Sequence, residues 1–368
     1  MKLLILKNNL LNGLTLASKT IGDNVNLPIL KNVLVKADEK IILSSTNLEL
    51  AVKSTIPGKI IEPGEITVPF NVFNGIVANL NSERITLEQK EKKLIVNTDN
   101  YEAIIQCQSA KEFPIIPTVK NKSASIKINT DVFKEALAQV VVASQYSDIR
   151  PEISGVFMSY EEKTLTLVAT DSFRLSERKI VSEKILSSFE KESVIIPLKT
   201  VNELLRFFGG EEGDLEIFVD PNQIFFKTEA RQLTSRLIDG NFPAYQAIVP
   251  KQTSSEVFVN RQELISAIKL TSSFSGKTND VIIKTGENKK FLEILSSESS
   301  LGENRYVISA KISGEKFSAV FNWRYLLDGL KIYKGEEVVL GVNASDRPVT
   351  IKSSSDPLLI YIVMPIKS

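Results

Sequence analysis

Apolar residues recur at helical spacing in six segments, and these segments fall into two sets of three. The first set comprises residues 9–21, 131–144 and 262–274, and the second comprises 69–80, 197–208 and 322–333. Pairs spaced i, i+4 stack on one helix face, as Leu10 and Leu14 do in the first segment. The pattern predicts six amphipathic helices. Corresponding segments lie about 122 to 131 residues apart, so the sequence contains three copies of one structural repeat.

Between these helices the hydrophobic period changes to two, which is typical of β-strands. The alternating stretches are residues 40–56, 91–108, 164–180, 215–239, 290–297 and 357–365. Each copy therefore predicts two helices and roughly eight short strands, which is an α+β fold with mostly antiparallel sheet.

Two Phe-Pro loops, residues 111–123 and 239–255, mark the joints between the copies. Each loop ends in a polar stretch before a new helix, as a short linker does. We therefore expect domains at residues 1–122, 123–253 and 254–368. An ordinary enzyme needs one set of catalytic residues. Three copies of a domain indicate instead that the function depends on the shape that the copies form together.

Composition excludes several classes of function. The chain has no histidine, the commonest general base at neutral pH and the commonest metal ligand. Cys107 is the only cysteine, so neither an internal disulfide nor a Cys-rich metal site can form, and a semi-buried strand thiol is its favoured interpretation. No Walker lysine motif or Gly-x-Gly-x-x-Gly sequence is present. The sequence predicts no cofactor, no metal and no catalytic residue.

The apolar runs are too short for targeting or membrane insertion. The N-terminal segment MKLLILKNN does not reach the length of a signal peptide. No stretch approaches the roughly 18 apolar residues of a membrane span. Together with the single cysteine, this pattern fits a reducing compartment. We expect a cytoplasmic protein with no membrane partner.

Basic residues outnumber acidic ones in and beside the predicted helices. The basic residues are Lys7, Lys19, Lys134, Lys199, Arg206, Arg261, Lys269, Arg324, Lys331 and Lys334. The acidic residues are Asp131, Glu135, Glu203, Glu263 and Asp328. Ten cations against five anions give these segments +5, while the whole chain carries +1. Ordinary charged helix surfaces are one interpretation, and a basic surface that faces a polyanion through its phosphates, independently of sequence, is the other.

Four segments carry a family resemblance: STNLEL (45–50), ATDSFRLS (169–176), NFPAYQAIVP (241–250) and YIVMPIKS (361–368). In this order and spacing they resemble signature segments of the bacterial DNA sliding clamp, the beta subunit of the replicative DNA polymerase. The resemblance implies a homodimeric ring of six similar domains, with sheets outside and helices lining a hole around double-stranded DNA. It implies a non-catalytic processivity factor that an ATP-driven clamp loader places on DNA and that tethers replicative and other DNA polymerases.

A geometric estimate supports two chains per ring. Helices pack with axes about 9 Å apart, so six side by side leave a hole of only ~7 Å, and twelve leave ~24 Å. A duplex needs about 20 Å, so one chain cannot encircle DNA and two can. In this arrangement nine of the ten cations above, all except Lys334, are expected to face DNA.

Two other functions stay open on the sequence. One is a ring-forming scaffold that ignores DNA, against which the charge bias of the helices argues weakly. The other is a metal-dependent nuclease, against which the absence of histidine and of clustered carboxylates argues.

In the family that the chain resembles, an edge strand of the first domain pairs with an edge strand of the third domain of the other subunit. Ala103 and Ile105 correspond to one side of this dimer contact, and Leu270 and Thr271 to the other. Packing inside the chain is the alternative interpretation of Ile105 and Leu270.

The same resemblance implies a pocket near the C-terminus that takes short peptides rich in Leu and Phe. The corresponding residues are Ile153, Thr170, Ser172, Phe173, Arg174, Leu175, Pro243, Ile248, Pro348, Ile362, Met364, Pro365 and Ile366. An apolar cleft with a flexible methionine wall suits many similar peptides, and core packing is the alternative for part of this set. The chain departs from the family at Ser172-Phe173, where Gly-His is common, and at Ile366-Lys367, where Met-Arg is common.

Overall fold

The structure is a computed structural model that describes residues 1–119, 125–181, 185–188 and 191–366. Its helices lie where the hydrophobic pattern predicts them. They are α1 (Lys7–Ala17), α2 (Phe70–Asn79), α3 (Thr130–Val141), α4 (Leu198–Phe207), α5 (Arg261–Thr271) and α6 (Trp323–Lys331). None of the helices in these described ranges is long and apolar enough to cross a membrane.

The strands are spread evenly over the three copies. The first copy holds β1 (Lys2–Leu6), β2 (Asn32–Ala37), β3 (Ile41–Thr46), β4 (Leu50–Ile56), β5 (Lys59–Glu62), β6 (Gly64–Pro69), β7 (Arg84–Lys90), β8 (Lys93–Asn97) and β9 (Glu102–Gln106). The second holds β10 (Ile126–Asn129), β11 (Gly155–Glu161), β12 (Thr164–Thr170), β13 (Arg174–Val181), β14 (Leu186–Ser187), β15 (Lys191–Pro197), β16 (Asp214–Asp220), β17 (Gln223–Lys227) and β18 (Arg231–Arg236). The third holds β19 (Ser255–Asn260), β20 (Asp280–Thr285), β21 (Phe291–Glu298), β22 (Gly302–Gly314), β23 (Ser318–Asn322), β24 (Glu337–Val342), β25 (Val349–Lys352) and β26 (Leu359–Val363).

The chain folds into two compact units. The first is formed by Met1–Asp131, Lys184–Phe189 and Asn202–Leu237. It contains a five-stranded sheet in the order β5-β1-β7-β8-β9 and a nine-stranded sheet in the order β14-β10-β16-β17-β18-β4-β3-β2-β6. Helices α1 and α2 pack on each other, and α1 packs on β3 and β4. Their i, i+4 pairs, such as Leu10 with Leu14, are fully buried in one core.

The second unit is formed by Val132–Glu183, Glu190–Val201 and Ile238–Ser368. Its twelve strands follow the order β15-β11-β12-β13-β26-β25-β24-β19-β22-β21-β20-β23. Helices α5 and α6 pack on each other, and α5 also packs on β21 and β22. Leu264 and Ile268 of α5 lie in the buried interior, as their spacing predicts.

Strand edges of neighbouring copies pair within each unit. In the first unit β4 pairs antiparallel with β18, and in the second unit β13 pairs antiparallel with β26. The strands of the second copy are therefore divided between two sheets, one shared with the first copy and one with the third. This pairing explains why the compact units cut across the middle copy.

The single cysteine is a buried thiol, as its sequence setting predicts. Cys107 follows β9 directly and belongs to the core of the first unit. Its sulfur lies 3.4 Å from the main-chain oxygen of Ile105. Burial raises the pKa of the Cys107 thiol to about 11, so the thiolate is scarce at neutral pH.

Two helical glycines of the first unit form a matched pair for testing this packing. A methyl group on Gly13 of α1 would meet the buried side chains of Ile56 and Leu43 at 2.6 and 2.7 Å, whereas one on Gly75 of α2 would meet nothing within 4 Å. Gly75→Ala is expected to raise the unfolding temperature, because alanine favours a helix by about 1 kcal/mol. Gly13→Ala is expected to lower it, because overpacking costs about 1–3 kcal/mol. Thermal unfolding followed by circular dichroism measures both; shifts of the same sign would contradict the packing of α1.

Candidate functional site

The turn from β12 to β13 is held by two polar side chains. The Thr170 hydroxyl donates to the main-chain oxygen of Arg174 at 2.6 Å and accepts from the N–H of Ser172 at 3.1 Å. Asp171 Oδ1 accepts from the N–H groups of Phe173 and Arg174 at 2.9 and 3.0 Å. Ser172 has a left-handed φ of 76°, an uncommon conformation for a residue with a side chain. We call residues 170–174 the Thr170 turn.

Arg174 ties this turn to α6. Its Nε donates to Asp171 Oδ2 at 3.0 Å, and its Nη1 donates to Asp328 Oδ2 at 2.5 Å. The guanidinium lies over the ring of Tyr325, 4.3 Å from the centroid, and Phe173 stacks on the same ring at 6.5 Å. The Asp171 side chain is only 3% exposed, so its ion pair with Arg174 is shielded from water. Charge-assisted hydrogen bonds are stronger in such a shielded setting than in solvent.

The segment that follows β26 is fixed between two elements. The N–H of Met364 donates to the main-chain oxygen of Phe173 at 2.8 Å. Two residues later, the N–H of Ile366 donates to the main-chain oxygen of Val320 in β23 at 2.7 Å. The C-terminal segment therefore forms a wall between the Thr170 turn and β23.

Turn, wall and helix enclose a cavity of about 480 Å³. Its lining residues, which we call the first cleft, are Ser172, Phe173, Asn322, Tyr325, Met364, Pro365 and Ile366. The volume lies within the range of ordinary ligand pockets. Aromatic and aliphatic side chains dominate the lining, so the cleft is suited to apolar groups.

Five of the thirteen residues predicted for the pocket line this cleft: Ser172, Phe173, Met364, Pro365 and Ile366. Five others are Ile153, Leu175 and Ile362, which are buried, and Thr170 and Arg174, which build the turn. Pro243, Pro348 and Ile248 retain exposed surface but are not among the residues that line the first cleft. For the three buried residues, the core-packing interpretation describes their side chains better than a direct ligand contact.

The sequence analysis missed Asn322 and Tyr325. Asn322 caps α6, and its side chain accepts from the N–H of Arg324 at 3.0 Å. Tyr325 lies in the first turn of the same helix. An asparagine just before a predicted helix is a capping signal, but a local pattern does not reveal that this helix end meets residues about 150 positions earlier.

The charge of the cleft is fixed through neutral pH. Burial, followed by the charge of Asp171, raises the pKa of Tyr325, so its phenol stays protonated. Burial likewise raises the pKa of Tyr361, whose hydroxyl donates to the main-chain oxygen of Tyr325 at 2.9 Å. Because the chain has no histidine, ligand binding by the first cleft is expected to depend little on pH between 6 and 8.

The predicted DNA-facing residues separate into two groups. Lys199, Arg206, Lys269, Arg324 and Lys331 are exposed, and Lys7, Lys19, Lys134 and Arg261 are half-buried. Lys7 Nζ donates to the main-chain oxygen of Leu80, and Arg261 Nε donates to that of Gly335 at 2.7 Å. Leu80 is the C-cap of α2, where a cation stabilises the helix end, and Gly335 lies in the bend between α6 and β24. Lys7 and Arg261 therefore have a structural role in this chain.

Two of the predicted dimer residues, Ala103 and Ile105, lie on the edge strand β9. Leu270 and Thr271 were expected on an edge strand as well, but they are the last two residues of helix α5, beside β22, where Asn304 donates to the main-chain oxygen of Leu270 at 3.3 Å. In the described ranges, neither β9 nor residues 302–309 of β22 have a strand on their outer side. Ile105 and Thr271 are buried within the chain and Ala103 packs against its core, whereas Leu270 is 56% exposed. The buried side chains of Ile105 and Thr271 are therefore not free to contact a partner. The period of two along β9 turns Ile104 outwards instead, at 56% exposure.

Comparison with known proteins accounts for nearly the whole chain. Models of the DNA polymerase III beta subunit match in order: its N-terminal domain at residues 1–117, its central domain at 127–244 and its C-terminal domain at 246–367. The chain is 27% identical to the beta sliding clamp of Bacillus subtilis (strain 168) over 380 residues, covering 100% of both. It is 26% identical to the beta sliding clamp of Synechococcus elongatus over 374 residues, covering 100% of this chain and 99% of the relative.

Solved structures agree with this result. The crystal structure of the DNA polymerase sliding clamp from Bacillus subtilis aligns with a TM-score of 0.94 at 27% identity, covering 100% of this chain and 99% of that one. The crystal structure of the DNA polymerase III subunit beta from Pseudomonas aeruginosa aligns with a TM-score of 0.93 at 26% identity, covering 100% of both. The predicted fold class of three repeated α+β domains is confirmed. This chain belongs to the DNA polymerase III beta subunit family, the family of the bacterial sliding clamps.

Proposed function

We propose that this chain is a DNA sliding clamp, a non-catalytic processivity factor that encircles double-stranded DNA as a homodimeric ring. The observation that carries the proposal is the agreement in fold, over the whole chain, with the DNA polymerase sliding clamp of Bacillus subtilis at a TM-score of 0.94. The family match favours this function over a scaffold that ignores DNA and over a metal-dependent nuclease. The cytoplasm, where DNA is replicated in bacteria, is the expected compartment.

We place the domain boundaries after residues 122 and 253, within the two Phe-Pro segments of the sequence; residue 122 lies outside the described ranges. The interval between the first two family matches, residues 118–126, supports the first boundary. The change from the second to the third match at residue 245 falls inside the loop 239–255 and supports the second. Because strands of neighbouring domains pair, these boundaries divide the sequence rather than the sheets.

DNA contact is assigned to exposed cations of the helices. The residues that keep this role are Lys199, Arg206, Lys269, Arg324 and Lys331, with Lys19 and Lys134 as half-buried neighbours. Phosphate contacts carry no sequence information, so binding is independent of sequence. A closed ring is retained by topology and needs only weak contacts in order to slide. This explains how a protein with a net charge of +1 can hold DNA.

The first cleft is assigned to short peptides of partner proteins, namely the clamp loader and the replicative and other DNA polymerases. Phe173 and Tyr325 offer aromatic faces, and Met364 offers an adaptable wall, so one cleft can accept several similar peptides. A tethered polymerase has a high effective concentration at the primer end. Loading requires ATP hydrolysis by another protein, since this sequence has no nucleotide-binding motif.

Tyr325→Ala tests the cleft, because it removes the aromatic face on which Phe173 and Arg174 rest. We expect it to lower stimulation of DNA synthesis at least tenfold on a long primed circular template supplied with polymerase and loader. Leu186→Ala, which truncates an exposed side chain outside the cleft, serves as the control and should keep full stimulation. Full stimulation by Tyr325→Ala would show that the partner site lies elsewhere.

Arg174→Met tests the shielded ion pair. The variant leaves the Asp171 carboxylate buried without its cation, so we expect a loss of about 3–5 kcal/mol of stability. Asp328→Asn removes only a partner that is more than one-third exposed and is expected to cost less than about 1 kcal/mol. Denaturant unfolding of both variants gives the comparison, and equal midpoints would contradict the assigned role of Arg174.

Leu270→Asp tests the dimer contact. The chain of 40.9 kDa should scatter light with a mass near twice that value, and a charge at an apolar subunit contact should weaken the dimer at least tenfold. Leu186→Asp places the same charge on an exposed strand outside the proposed contact and should leave the dimer intact. A monomer at every concentration of the natural chain would refute the two-chain ring.

A further inference from the structure

A second cleft lies in the first unit, where β4 meets β18. It encloses about 190 Å³, and its lining includes Leu48, Pro114, Ile115 and Arg236. The proposed function assigns no role to this second cleft. The main-chain hydrogen bonds around the second cleft repeat those around the first cleft.

The turn before β4 duplicates the Thr170 turn. The Thr46 hydroxyl donates to the main-chain oxygen of Leu50 at 3.0 Å and accepts from the N–H of Leu48 at 3.0 Å. Asn47 Oδ1 accepts from the N–H groups of Glu49 and Leu50 at 3.1 and 2.8 Å. Leu48 has a left-handed φ of 75°, almost the value of its counterpart in the Thr170 turn.

The wall of the first cleft is duplicated as well. The N–H of Arg236, directly beyond its strand pairing with β4, donates to the main-chain oxygen of Glu49 at 2.9 Å. The N–H of Met364, directly beyond the pairing of β26 with β13, donates to the main-chain oxygen of Phe173 at 2.8 Å. Arg236 therefore occupies the position of Met364, and Glu49 that of Phe173.

The side chains make the second cleft amphipathic. Ile115 is 95% exposed and Leu48 is 42% exposed, so two branched apolar side chains face water beside the cavity. A leucine held at a left-handed φ costs roughly 1 kcal/mol relative to glycine, a form of strain that clusters at binding sites. In the described part of the chain, no carboxylate forms an ion pair with the guanidinium of Arg236.

We propose that the second cleft docks an extended peptide segment of a partner protein, in which an apolar residue stands next to a carboxylate. The apolar side chain enters the cavity against Leu48 and Ile115, and the carboxylate pairs with Arg236. The volume of 190 Å³, less than half that of the first cleft, gives room for about one side chain, so this contact is weaker. A nucleic acid backbone fits less well, because it offers no apolar side chain to the cavity beside Leu48 and Ile115.

The proposal goes beyond the proposed function and uses it only through the likeness of the two clefts. A peptide site on the first unit would allow one chain to hold two segments of a partner at once. Linked weak contacts of this kind raise overall affinity without any new strong contact.

The test uses the full chain labelled at isoleucine methyl groups and the probe peptide acetyl-Gly-Asp-Leu-Leu-Gly-amide. The Ile115 signal, assigned through Ile115→Val, is expected to shift on titration. Arg236→Gln should weaken this response at least tenfold, and a peptide with lysine in place of the aspartate should give none. Leu48→Gly should weaken it too while raising the unfolding temperature, since glycine relieves the left-handed strain.

Tyr325→Ala, which damages the first cleft, should leave the Ile115 response unchanged. A response confined to Ile366 would overturn the second cleft and leave the proposed function standing, because the polymerase assay tests that function separately. A shift of Ile115 with a duplex oligonucleotide but not with the peptide would overturn the peptide assignment. A shift that Arg236→Gln does not affect would overturn the role of the guanidinium.

Discussion

The fold depends on the pairing of strand edges between neighbouring copies of one repeat. An unpaired edge leaves donors and acceptors without partners, and the pairs β4–β18 and β13–β26 satisfy them with main-chain hydrogen bonds. Each pairing also brings the chain beyond one strand against the turn before the other. The main-chain arrangement where two copies join therefore forms a cleft, whichever side chains line it.

Side chains decide what each cleft becomes. In the second unit, Arg174 holds α6 against the Thr170 turn through Asp328. Tyr325 of α6 then adds an aromatic face, so the cavity is large and apolar. In the first unit, the wall position holds Arg236, and the cavity is small and partly charged. The same rule governs the open edges of β9 and of residues 302–309 of β22, since a strand edge that has no neighbour within the described ranges favours a strand from outside.

The sequence predicts the elements well because their signals are local. The i, i+4 pairs located the six helices of the described ranges. The alternating stretches located strands in all three sheets, although β1, β11 and β22 lie outside those stretches. The resemblance placed Phe173 and Met364 in the first cleft, because their segments form its turn and wall. Tyr325 escaped, because a tertiary contact brings α6 to the turn. The outward residue of β9 was predicted one position away from Ile104, since a shift of one residue reverses the face of a strand.

The hydrogen bonds of the Thr46 and Thr170 turns require only a threonine and the Asn or Asp that follows it, since every other partner is a main-chain atom. Positions such as 49, 173, 236 and 364 can therefore change without weakening the turn. A repeated turn with this property keeps its main-chain geometry while the residues at its recognition positions change, so each copy can come to bind a different ligand.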